Sequence, residues 1–123
     1  MSSIIPALQI IVAIGLLNVW LLRFNSRTAY RGSSASTMQE EFAAYGLPAG
    51  SVYVVGALKL GVALAMIAGF WFPVVVVPAA LLLTALMLGA IAMHFKIRDP
   101  LQKSLPALLM LALAVIIAIG SPR

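Results

Sequence analysis

The chain has 123 residues, of which 63% are hydrophobic and 9% charged, with a net charge of +5 and a mean hydropathy of +1.12. A soluble domain carries roughly 25% charged residues, so this composition excludes one and predicts an all-α membrane protein filling a single domain. The absence of cysteine excludes disulfides, CxxC redox chemistry and thiolate metal sites. The basic residues flank apolar runs instead of forming an aromatic-laced patch, so they fit a lipid bilayer as partner and not nucleic acid.

About 20 apolar residues in a helix cross a bilayer core of roughly 30 Å. The first such run covers residues 4–24. It lacks a basic leader segment and a small-x-small cleavage site, and is expected to stay in the mature chain. Asn18 lies inside it, where it would either bond across helices or line a site.

Between the first two runs, Thr37-x-x-Glu40 has the spacing of a capping box, in which a hydroxyl and a carboxylate each serve one orphan N–H. Gly46 and Pro48 mark a stop. A short amphipathic helix is predicted over 37–45, with Met38, Phe42 and Tyr45 on its apolar stripe and Glu41 off it. It would be either a connecting helix or a lid over an intramembrane site.

The second span, 52–72, carries Ala57, Gly61, Ala65 and Gly69 at every fourth position, a ridge that lets another helix approach closely. Lys59 lies about 200° around the helix from Gly61, at about 100° per residue. It therefore shares a face with Gly56, Ala63 and Met66. Its depth beyond Val52 is roughly 10 Å at about 1.5 Å per residue. Such a lysine either snorkels to lipid phosphate or points into the bundle, where an acid or a ligand compensates it. The chain has three acids, Glu40, Glu41 and Asp99, and the short helix bringing Glu40 or Glu41 to Lys59 is the most economical pairing.

In the third span, 74–95, Ala80, Thr84, Met87, Ile91 and His94 recur in steps of four and three and share one face. His94 is the single histidine. Alone it makes neither a bis-His haem nor a closed zinc site. It would act as a hydrogen-bond partner, as a proton carrier, or as an ordinary interfacial histidine. The fourth span, 105–120, repeats Ala114 and Ala118 and is short unless Lys103 and Ser104 extend it. Pro6, Pro48, Pro73, Pro78 and Pro106 all fall just before or just inside the start of a span, where a missing N–H costs least.

Arg23, Arg27 and Arg31 lie in the first loop and Lys96, Arg98 and Lys103 around the third, beside Asp99, against Arg123 alone on the other side. This bias places the first and third loops in the cytoplasm and both termini outside.

The stretch LMLGAIAMHFKIRDPLQKSLPALLMLAL resembles the DoxX-like family of small membrane proteins in His94, the basic residue after it, Asp99-Pro100 and Pro106-Ala107. FAAYGLPAGSVYVVGALKL resembles that family's Gly-x-Pro approach to its second helix. The resemblance implies a four-helix bundle with polar residues gathered toward one end. Some relatives carry an acid near the position of Lys59, so this chain reverses the charge there. The family takes its name from a subunit of a thiosulfate:quinone oxidoreductase, and a distant animal relation is a chaperone for receptor assembly.

Three functions follow as expectations. The first is a non-catalytic scaffold, accessory subunit or assembly factor packing through its small residues against other membrane-protein helices, or against a second copy as a homo-dimer. The second is a quinone- or lipid-binding subunit of a membrane oxidoreductase, with Lys59, His94, Asn18, Glu40, Glu41 and Thr84 around a polar intramembrane site and Met66 and Met87 lining an apolar pocket. The third is a small-solute transporter with Lys59 in its pathway. No catalytic residue set and no metal site is expected.

Overall fold

The computed structural model describes residues 4–22, 37–48 and 50–121. Helix α1 (Ile4–Leu17) runs on through a π-helical turn, Asn18–Leu22. The short α2 (Met38–Ala44) follows, then α3 (Ser51–Ala68). Helix α4 (Val76–Lys96) begins from a 3-10 turn at Pro73–Val75, and α5 (Leu105–Gly120) from another at Leu101–Ser104. No strand occurs among the described residues. Four of these segments, Ile4–Leu21, Ser51–Ala68, Pro73–Lys96 and Leu101–Gly120, are long and apolar enough to cross a membrane. The turn at 101–104 supplies the length that the last run lacks by itself.

Helix α1 packs against α3 and α5, and α4 packs against the same two, so the long helices form a closed ring of neighbours. Val12, Leu16, Val62, Met66, Leu83, Met87 and Ile117 fill the centre. At most 33% of any span is buried inside the bundle. Ile14, Leu64, Val74 and Ile119 point outward at 62%, 63%, 80% and 69% exposure. Water would reject that surface, while acyl chains are as apolar as it is.

The helix contacts use small residues, though only some of those the repeat predicts. Ala114 and Ala118 are buried, as are Ala79 and Ala80. On α3 the ridge divides. Gly69 is buried against Val76 and Gln9, so a Cβ there would collide with Val76, whereas Ala57 and Gly61 face outward and a Cβ at Gly61 would meet nothing within 4 Å. The inward face of α3 is instead Val52, Gly56, Val62, Ala63 and Met66, the face that Lys59 shares.

Near the α3–α4 turn, Gln9 is 6% exposed and donates its amide to the carbonyl of Met66 at 2.9 Å. That carbonyl lies in the last turn of α3, where no following helical N–H is available.

Candidate functional site

The end of α1, the start of α3 and the last turn of α4 meet at one end of the bundle, and α2 lies across them. Trp20, Met38, Phe42, Tyr45 and Val52 form a second buried cluster there. Thr37 starts α2 as an extended residue whose Oγ1 accepts from the Glu40 N–H at 3.2 Å. The helix ends in a Schellman turn: Gly46 (φ 79°) donates to Ala43 O and Leu47 to Phe42 O. Glycine takes that left-handed conformation without a Cβ penalty.

The stripe of α2 differs from the expectation. Met38, Phe42 and Tyr45 are buried, and so is Glu41, at 8% exposure. Positions 38, 41, 42 and 45 are i, i+3, i+4 and i+7 of one helix face, so Glu41 lies on the inward face. Glu40 lies on the outer one.

Helix α4 also ends in a Schellman turn, with Arg98 N–H donating to Phe95 O at 3.1 Å and Asp99 N–H to His94 O at 2.9 Å. Arg98 takes the left-handed position at φ 59°, where a non-glycine residue costs roughly 1 kcal/mol. The turn swings Asp99 back over the helix end, so that its Oδ2 lies in hydrogen-bond contact with His94 Nδ1 at 2.7 Å. Both side chains are buried.

From there the polar contacts continue. His94 Nε2 lies 3.4 Å from the Tyr45 hydroxyl, and that hydroxyl donates to Glu41 Oε1 at 2.6 Å. The Tyr45 ring also meets the His94 ring edge-on, with centroids 5.7 Å apart. Lys96 Nζ donates to the Tyr45 carbonyl at 2.9 Å, which places a cation on the last turn of α2.

Lys59, partly buried, turns inward. Its ammonium sits 5.2 Å from the centroid of the Trp20 ring, within cation–π range. The Glu41 carboxylate supplies the opposite charge acting on it. Gly56, one turn before Lys59, makes room for the indole: a Cβ there would lie 2.7 Å from the ring. Trp20 meets Phe42 of α2 edge-on at 6.3 Å. The Lys59 ammonium makes no hydrogen bond to another described residue.

Of the expected site residues, the structure therefore brings Lys59, His94, Glu41 and Asp99 together under α2. The others lie elsewhere. Thr84 donates to Ala80 O of its own helix at 2.8 Å, a local back-bond. Asn18 opens the π-helical turn, and its side chain makes no hydrogen bond to another described residue. Met66 and Met87 belong to the filled central core, not to a pocket beside Lys59. Arg98 is exposed. Arg23 lies outside the described residues. Trp20 is a member of the site that hydropathy did not single out, because an indole near a span end reads as an interfacial anchor.

An open cleft of about 390 Å³ borders the same region, lined by Gln39, Phe42, Ala43, Leu47 and Val52. Among the described residues no three His, Asp or Glu side chains gather as metal ligands. The arrangement can present N–H donors to an oxygen acceptor and move protons between neighbouring groups.

The sequence model of the DoxX-like family matches residues 17–117. No curated protein and no solved structure matches the chain.

Proposed function

This chain belongs to the DoxX-like family, and from that premise we propose that it is an accessory subunit of the membrane, without catalytic chemistry of its own, that holds the head of a quinone or lipid beneath α2. The observation supporting this is the placement of Lys59. A lysine serving only as an anchor extends its stem to the headgroups. Here the ammonium lies over the Trp20 ring, with no hydrogen bond to a described residue. An ammonium carries three donors, and a quinone carbonyl or a lipid phosphate oxygen supplies the acceptor they lack. Such a charge below the headgroups costs several kcal/mol if unpaired, which a purely packing role does not require.

The six basic residues beside the first and third loops support placing this end of the bundle in the cytoplasm. A second reading, a scaffold packing against another membrane helix or a second copy, is favoured by the outward Ala57 and Gly61.

The test is to purify wild type and Lys59→Leu in mild detergent with added short-chain ubiquinone or phosphatidylglycerol, and to quantify what each retains. Wild type is expected to retain one of the two at least tenfold better. Equal retention at equal thermal stability would overturn the reading.

A further inference from the structure

The hydrogen bonds from Asp99 to Glu41 contain an unfilled proton position. An ionised Asp99 accepts only, so with Asp99 ionised the proton between it and His94 belongs to Nδ1, which leaves Nε2 facing the Tyr45 oxygen. A tyrosine hydroxyl has one proton, and here it is directed to Glu41 at 2.6 Å. With neutral His94 and ionised Glu41, lone pairs face each other across the 3.4 Å gap between Nε2 and Oη. One added proton fills this gap in either of two ways. It resides on Nε2, which then donates to Oη while Oη donates to Glu41. Or it resides on Glu41, which then donates to Oη while Oη donates to Nε2.

We propose that His94, Tyr45 and Glu41 form a one-proton relay that carries a proton between the end of α4 and the Glu41 carboxylate of α2. In the transfer, the Nε2–H bond breaks as an Oη–H bond forms, and the original Oη–H bond breaks as an Oε1–H bond forms. Tyr45 is neutral before and after, and no electrons move. When the proton rests on Glu41, Lys59 loses the charge acting on it. Proton position and the charge balance at Lys59 are therefore linked. The use of the relay, serving a ligand that gains or loses a proton, rests on the ligand-binding reading above. The relay itself does not.

Among the described residues, the contacts place the following titratable groups beside His94 and its partners. Helix α2 contributes Glu41 and Tyr45, α3 contributes Lys59, α4 contributes Lys96, and the following turn contributes Asp99. Residues 4–22, in α1 and its π-helical turn, and residues 105–120 of α5 contain no titratable side chain.

Because His94 is the only histidine, its ring nitrogens give a single assignable nitrogen-15 signal set. The experiment follows them against pH in bilayer nanodiscs, without added ligand, for wild type, Tyr45→Phe, Glu41→Gln and the double variant. Nδ1 is expected to stay protonated throughout while Nε2 titrates. Each single substitution removes the same acceptor chain and should lower the Nε2 midpoint by about half a pH unit, roughly a threefold change in proton affinity. The double variant should match the singles. If Glu41→Gln still shifts the midpoint in the Tyr45→Phe background, Glu41 acts through space and the relay is overturned. An unmoved midpoint in both singles also overturns it. Quinone or lipid retention, measured separately, reports on the ligand reading alone.

Discussion

The Lys96 ammonium donates to the Tyr45 carbonyl at 2.9 Å, so the last turn of α4 caps the last turn of α2. Two helix C-termini, each an end of partial negative charge, thus share one cation. Removing it should release α2 first, because α2 has only seven residues and little helical stability of its own.

Lys96→Met is accordingly expected to raise the local opening of α2 by about 1 kcal/mol, roughly fivefold in its opening equilibrium. Amide hydrogen exchange at Phe42 to Leu47 is the measurement. Exchange there should quicken while α5 is unchanged, and an unaltered rate would mean that aromatic packing alone holds α2.

Gly56 and Gly61 lie on opposite faces of α3, and alanine should separate them. A Cβ at Gly56 would meet the Trp20 ring at 2.7 and 2.8 Å, and an indole cannot bend aside. Gly56→Ala should cost about 1–3 kcal/mol and displace Trp20 from Lys59. Gly61→Ala meets nothing within 4 Å and should gain up to about 1 kcal/mol in helix propensity. Thermal unfolding reports the energies. Trp20 fluorescence in a Trp71→Phe background reports the displacement. Equal behaviour of the two variants would contradict this assignment of faces.

Gln9→Leu leaves the Met66 carbonyl buried without its side-chain donor. The expected loss is about 1–3 kcal/mol, the cost of stranding a buried polar group, read as a lower midpoint of thermal unfolding in the same detergent. Gln9→Glu fails similarly if protonation does not restore a donor.

Arg98 adopts φ 59° at the end of α4. Arg98→Gly removes the Cβ penalty and should stabilise the fold by about 1 kcal/mol. The His94–Asp99 pair should remain, seen as an unchanged Nδ1 signal. Arg98→Val should destabilise, because a β-branched side chain tolerates this conformation least.

Much of this was legible from residue order. Hydropathy and proline placement gave the four spans, and about 100° per residue placed Lys59 with Gly56, Ala63 and Met66, the face the bundle buries. The charge on Glu41 by itself points to the outer face of α2, whereas the residue is buried. Its position completes the inward three-four spacing, and only a partner for its carboxylate makes burial tolerable. The repeat at Ala57, Gly61, Ala65 and Gly69 read as one seam because spacing reports which residues share a face and not what covers it. Gln9 is a similar case: a polar residue in an apolar run shows its cost, not its partner.

The amino-acid sequence by itself determined that there are four long apolar helices with a short one between the first two, and the membrane as their solvent, because hydrophobic runs, caps and prolines act over a few neighbouring residues. Only the tertiary structure decided that Trp20, Glu41, Tyr45, Lys59, His94 and Asp99 belong to one site. They are drawn from α1, α2, α3 and the end of α4. Which polar group compensates which depends on distances between helices, and those are set when the bundle packs.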